Sequence, residues 1–321
     1  MSGAAWSDRA VLLHAGVLLL LFALNFVLPD YHHGVVARVM VLAVFAMGYN
    51  LLLGYAGLLS LGHAMFFSAG LYGAGLTMVH FGWTPAPAFV AGLLAGAVLS
   101  ALVGVLALRT TGVAFMIVTM MFAQVLYLAT LYFGDWTRGD EGLVIPQGAR
   151  RIELGSYVLD FSAPVGRYMT ALALFSIVLV AILAIVRSPY GRVLVAIREN
   201  EERTRMLGYD AFANKLAAVV LSGVFCAAAG AAWAILFGYV GSTFASVQYS
   251  ILPLLWVLAG GAATTIGPLI GTLFMYYVVD IASGYTSAWL LVVGGALIVL
   301  VLFFPKGILG TIRDRWLPWL P

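Results

Sequence analysis

Charge is what this chain has least of. Of 321 residues, 9% are Asp, Glu, Lys or Arg, against roughly 25% in a soluble domain. That shortfall excludes an ordinary water-soluble globule. Lysine is scarcer still: Lys215 and Lys306 stand alone, and neither follows a glycine-rich turn of the G-x-x-x-x-G-K-[ST] kind. A phosphate loop for nucleotide is therefore missing. The one cysteine, Cys226, excludes a disulfide within the chain, and its Ala and Phe neighbours make it a packing residue. His, Cys, Asp and Glu nowhere cluster at metal-ligand spacing, and no Ser/His/Asp arrangement is visible. No covalent chemistry, metal or cofactor is expected, and any ATP must be hydrolysed by a partner. The net charge of +3 sits at the ends of apolar runs and gives no reason to expect nucleic acid.

What fills the chain instead is apolar: 63% of its residues are hydrophobic. A membrane span needs roughly 20 such residues. Candidate spans are 11–28, 35–53, 63–81, 86–108, 112–133, 165–186, 216–238 and 288–304. The block 251–283 is too long for one helix and is broken at Gly260-Gly261 and Gly267-Pro268, so it is read as two short pieces, 251–266 and 268–283. The expectation is an all-α polytopic membrane protein of about ten transmembrane helices with discontinuous glycine-rich segments, forming a single permease domain over 1–321. The first run is read as a span, not a cleavable leader, because no small-residue cleavage site follows it. Placing the N-terminus, Arg109, the 187–215 stretch and the tail 306–315 on one side collects eleven of the sixteen basic residues. By the positive-inside rule that side is the cytoplasm, with both termini in it. Ten spans divide as five and five, which is compatible with an inverted repeat.

Two kinds of polar interruption matter. The first is the island 187–215, with six of the sixteen basic residues and four of the thirteen acids. Ser188-Pro189 reads as a helix start, and Gly208 as a helix stop. Glu199/Arg203 and Glu201/Arg205 are spaced as i,i+4 pairs, each worth roughly 0.3–0.5 kcal/mol. This charged helix lies outside the bilayer, as a solvated loop or as the place where another protein pushes. The second kind is glycine. Gly70, Gly73 and Gly75 suit close helix packing. The pieces 54–62 and 260–271 pair glycine with Ser60, His63, Thr264 and Thr265, which could line a polar path where helices loosen or bond back to their own helix. Asn50 and Gln124 are the other candidates for a pathway. His14 is expected to be neutral and to face lipid or a partner, and Asp280 to be solvated at the outer interface. An outer segment over 134–164 is long enough for a lid, a docking surface or a structural cap.

The stretches GYNLLLGYAGLLSLGHAMFFSAG (48–70), RTTGVAF (109–115), TRGDEGLVIP (137–146), GRVLVAIRENEERTRMLGYD (191–210) and FFPKGILG (303–310) resemble the LivM-type permease subunit of branched-chain amino acid ABC transporters. The resemblance runs from about 36 to 310. Leu58 and Arg138 stand where many members have Gln and Gly, and Arg203 and Thr204 where small residues are usual. The resemblance implies a permease for branched-chain or other hydrophobic amino acids in a bacterial inner membrane. Relatives that carry urea, short amides or small carboxylates supply a second reading. It also implies a second, LivH-type permease subunit, two cytoplasmic ATP-binding subunits, a periplasmic solute-binding protein and a surrounding lipid bilayer. The island would be the coupling helix, centred on 192–207, with Arg192, Arg198, Glu199, Asn200, Glu201, Glu202, Arg203 and Gly208 meeting the ATPase. The competing class is an ion-coupled secondary transporter, which needs a titratable midplane site that the spans offer only weakly in His63 and Asn50.

Overall fold

Apolar length sets the architecture, because inside a bilayer only a helix satisfies its own backbone. A computed structural model describes residues 3–154 and 157–315. The helices are α1 (Gly3–Val27), α2 (Asp30–Asn50), α3 (His63–Phe81), α4 (Pro85–Ala107), α5 (Val113–Tyr132), the short α6 (Gly134–Thr137) and α7 (Pro164–Arg187). After these come α8 (Pro189–Glu199), α9 (Glu201–Met206), α10 (Ala211–Phe237), α11 (Val247–Gly260), α12 (Gly267–Tyr285), α13 (Trp289–Phe303) and α14 (Gly307–Arg315). Each of the ten apolar stretches forms a helix. Among the described residues, seven of these are long and apolar enough to cross a membrane, the last being Ala211–Phe237. The chain is therefore a multi-pass, mainly helical membrane protein. The 251–266 piece begins and ends earlier than its sequence reading: its helix runs Val247–Gly260, and 261–266 is the break itself.

Burial sorts these helices into layers. In α2 almost every residue from Val35 to Asn50 is buried, and α10 is mostly buried, whereas α1, α4 and α5 show broad apolar faces outward. In α10 the run CAAAGAAWA keeps side chains small, so α3 and α4 approach its backbone closely. A Cβ at Gly230 would lie 1.9 Å from the Phe67 carbonyl oxygen, one at Gly70 2.0 Å from that of Ala227, and one at Gly96 2.1 Å from the Ala227 side chain. Cys226 is buried in this seam, as its neighbours suggested.

The outer segment is not all helix. Strand β1 (Leu143–Val144) pairs antiparallel with β4 (Tyr239–Val240), and β2 (Arg151–Leu154) with β3 (Tyr157–Asp160). This amends the purely helical reading, and the reason is local: the segment alternates apolar and polar residues, which is the period of a strand. It is pinned to the bundle by buried Leu143 and Ile145, by Arg150 donating to the Leu236 carbonyl (3.1 Å) and by Ser242 donating to Asp140 (3.0 Å).

Replacing Gly230 with Val is expected to overpack the seam by about 1–3 kcal/mol or more. Gly294→Ala, where nothing lies within 4 Å of the added carbon, should stay within about 0.5 kcal/mol. Thermal unfolding of the purified chain in detergent compares them, and equal melting shifts would contradict the close approach.

Candidate functional site

Two interruptions in the helices meet each other. Past Asn50 the helix widens into a π turn over Leu51–Tyr55, with Leu58 N–H reaching back to the Leu52 carbonyl (3.0 Å), and residues 56–62 are irregular before α3 starts. The second interruption is 261–266, between α11 and α12. Asn50, 1% exposed, joins them: its amide nitrogen donates to the Thr264 carbonyl (2.9 Å) and its amide oxygen accepts from Ala263 N–H (3.0 Å). Ala263 sits at φ +56°, a left-handed conformation that side-chain-bearing residues rarely adopt. The two-point grip of Asn50 holds it there. Gly54 is glycine for steric reasons, since a Cβ would come within 2.3 Å of the Asn50 amide oxygen and 2.5 Å of Ala263 N.

Four of the remaining pathway candidates, Ser60, His63, Thr264 and Thr265, cluster around these breaks, buried and bonded to partners. The Ser60 carbonyl accepts from the Tyr49 hydroxyl (2.9 Å), and its own hydroxyl accepts from Gly62 N–H (3.2 Å). Ser222 donates to the Gly48 carbonyl (2.7 Å), so its oxygen accepts from His63 Nε2–H (2.9 Å). Thr264 donates to the Gly261 carbonyl (2.7 Å). Thr265 meets His14 at 2.6 Å, while His14 Nδ1–H donates to the Ala10 carbonyl at 2.5 Å. A carbonyl only accepts, so Nδ1 carries the proton and Nε2 accepts from Thr265. His14 thus faces inward onto the second break, correcting the lipid- or partner-facing expectation; α1 packs with one polar position turned in. Gln124 stands half-buried on α5 and takes no part in these bonds. Asp280 accepts from the Tyr31 hydroxyl at 2.5 Å.

The island 187–215 folds into a braced corner. Ser188 caps α8 by accepting from Gly191 N–H (3.3 Å), with Pro189 in the first turn as expected. The expected single helix over 192–207 is interrupted at Asn200, whose extended backbone ends α8 and whose side chain caps α9 through Arg203 N–H (2.9 Å). An Asn competes with the helix by offering its own acceptor to the next turn. The break splits the expected Glu199/Arg203 pair, and Glu199 instead meets Arg198 (2.8 Å). Glu201/Arg205 does form (2.6 Å), and Glu201 also receives Lys215 from α10. Burial alone would raise the Glu201 pKa, but Lys215 and Arg205 outweigh it and hold the carboxyl below its ordinary 4.5. This tie is complete above that ordinary value and is lost as pH falls through the lowered one. Gly208 ends the corner at φ +89°.

One face of the corner is turned in and one out. Leu194, Ile197 and Thr204 are buried, while Arg192, Glu199, Asn200, Glu202 and Arg203 are exposed. Three exposed residues escaped the sequence reading: Met206 (85%), Leu207 (72%) and Tyr209. The signal was available, since apolar side chains inside a charged, solvated island need a reason. From the inner side, Arg198 Nη1 donates to the Gly54 carbonyl in the first break, and from the C-terminal helix Arg313 donates to the Ala263 carbonyl (2.9 Å) in the second. The corner is thus bonded directly to the first break, and α14 to the second.

Comparison with known proteins gives the family. The high-affinity branched-chain amino acid transport system permease protein LivM of Escherichia coli K12 is 27% identical over 297 residues, covering 86% of this chain and 69% of the relative. The protein of the same description from Salmonella typhimurium is 26% identical with the same coverage. A probable branched-chain amino acid transport permease protein LivM of Methanocaldococcus jannaschii is 26% identical over 140 residues, 39% of this chain and 41% of that one. No solved structure gives a match. The family model described as branched-chain amino acid transport system, permease component, matches residues 32–302, and to that family this chain belongs.

Proposed function

We propose that this chain is the membrane-spanning subunit of an ATP-driven importer for branched-chain or other hydrophobic amino acids, moved by separate ATPase subunits. That it is a transport permease and not an enzyme follows from its family. The observation carrying the coupling reading is the braced 188–210 corner, which offers an exposed Met206-Leu207-Tyr209 tip outward and Arg198 inward to a broken span. Met and Tyr are favoured at the cores of protein interfaces, and the surrounding Arg192, Glu199, Glu202 and Arg203 suit a polar rim. Asn200, Glu201 and Gly208 shape the corner that presents them. The partners are two cytoplasmic ATP-binding subunits under this corner, a second permease of the LivH type beside the spans, and a solute-binding protein outside.

Ten crossings are the reading that places both termini with the corner in the cytoplasm and keeps eleven of sixteen basic residues inside. The bacterial inner membrane is the matching location. The outer segment, with Val144, Val158 and Leu159 exposed, is then a landing surface for the solute-binding protein. Asn50, Ser60, His63, Thr264 and Thr265 act as the closure of the path at the breaks, because in this structure they are buried and bonded.

Met206→Glu with Leu207→Glu should lower uptake and transport-stimulated ATP hydrolysis by about tenfold or more, as loss of interface anchors costs about 2 kcal/mol or more. Membrane insertion should be unchanged, and normal uptake in proteoliposomes would remove the coupling role. These tip residues make a cleaner test than Glu201, whose reversal would break the Lys215 tie. Arg198→Gln should leave ATP hydrolysis running while uptake falls, raising the ATP consumed per solute moved; a parallel loss of both would argue against transmission through the Gly54 carbonyl. Asn50→Asp keeps the acceptor for Ala263 N–H but loses the donor to Thr264, and each orphaned buried group costs about 1–3 kcal/mol. The melting temperature and uptake should both drop, and an Asn50→Asp chain matching the unsubstituted one would show that the breaks do not need this bridge.

A further inference from the structure

Arg38 stands out by its burial. On α2, residues 35–37 and 39–50 are all buried, yet the side chain of Arg38 is exposed. It lies within a span, roughly 12 Å along the axis from the helix start. A charge inside a span faces a wet cleft or a partner, and such residues mark solute routes. Its Nη1 donates to the Tyr276 hydroxyl of α12 (3.4 Å), and its guanidinium carbon lies 5.6 Å from the centre of the Phe237 ring on α10. Arg167 of α7 stands 5.6 Å from the same ring centre. Its Nη2 donates to the Ser162 carbonyl (2.8 Å), while its Nε is buried without a hydrogen-bond partner. Among the described residues neither arginine has a carboxylate partner. Asp160 is taken by Arg151 and Ser162, and Asp280 by Tyr31. Phe237 in turn meets Trp233, with ring centres 4.4 Å apart, and the aromatic contacts continue through Phe244 and Tyr249 to Phe45. Phe45 lies about two turns beyond Arg38 on the same face of α2.

We propose that Arg38 and Arg167 form a carboxylate-binding site at the outer end of the bundle. It takes the carboxylate of the arriving solute, while the aromatic run below takes its apolar side chain. That the solute is an amino acid entering from this end rests on the importer reading above. Two guanidiniums beside one ring repel each other, and a carboxylate between them turns that repulsion into attraction. A guanidinium fork matches the two oxygens of a carboxylate, a geometry that lysine lacks. The unused Nε–H of Arg167 gains an acceptor, whose absence costs free energy in a buried group. A site charged at one end and aromatic at the other suits a hydrophobic amino acid and rejects the same molecule without its carboxylate.

The first test uses the unsubstituted chain in lipid nanodiscs. Phenylglyoxal modifies water-accessible arginines, and peptide mass spectrometry reads the adduct at Arg38. Leucine and isocaproate share the carboxylate and should slow that modification severalfold at saturation. Leucinamide, which lacks it, should not. An Arg38 that is never modified, or one that leucinamide protects equally, overturns the site. The second test is leucine uptake by the transporter assembled with its partner subunits in proteoliposomes. Arg38→Gln should lower uptake about tenfold or more, in line with loss of a hydrogen bond to a charged group. Arg38→Lys, which keeps the charge without the fork, should recover part of it. Size-exclusion chromatography checks that both variants fold and assemble, and unchanged uptake in Arg38→Gln also overturns the site. Protection of Arg38 by isocaproate in a transporter that moves no leucine would keep the site and remove the amino acid reading. Leucine uptake with Arg38 left unprotected would do the reverse.

Discussion

The constraint on which this structure depends is that backbone groups within lipid find no water. A continuous helix meets it automatically. This chain breaks the rule twice, at 56–62 and 261–266, and the remainder of the polar chemistry repairs the damage. Asn50 supplies one donor and one acceptor to the second break, Tyr49 donates to the Ser60 carbonyl in the first, and Ser250 caps the start of α3 by accepting from Ala64 N–H (2.9 Å). Most of the buried polar residues of the core are spent on other people's carbonyls and amides, which is why so few are left to face an open passage.

The repair is not confined to the spans. Gly54 and Ala263 each present a carbonyl that an arginine from outside the long spans satisfies, Arg198 from α8 and Arg313 from α14. Whatever moves α8 must therefore either carry the first break with it or leave a carbonyl unpaired. The corner is stiff enough to carry it: Glu201 ties α9 to Lys215 of α10, and the Tyr190 hydroxyl donates to the Asn214 carbonyl (3.0 Å). A push on the exposed tip thus has a bonded route to the break.

Much of this was written in the sequence. Apolar length placed the long helices, the glycines of 54–62 and 260–271 marked both breaks, and Ser188-Pro189 and Gly208 punctuated the corner as they stand in the structure. What could not be read was pairing between distant segments. Asn50 and Thr264 are separated by 214 residues, and no local pattern says that the first break must answer the second. His14 was misplaced for the same reason, because a polar residue on an apolar helix shows its direction only once its neighbour, Thr265, is known. Asn200 illustrates the opposite failure: the residues around it favour helix, and a single capping side chain outweighed them.

Ala263 draws these threads together. Its left-handed backbone costs roughly 1 kcal/mol or more, as non-glycine residues do in that region, although Gly260 and Gly261 stand just before it in the chain. The conformation persists because Asn50 grips its N–H and Arg313 its carbonyl. One grip comes from α2 and the other from α14. Releasing the α14 grip would leave a strained residue held from a single side. The first break has its own grip in Arg198 of α8. Two interruptions are thus bonded to each other, and each is also held by a cation from a helix outside the long spans.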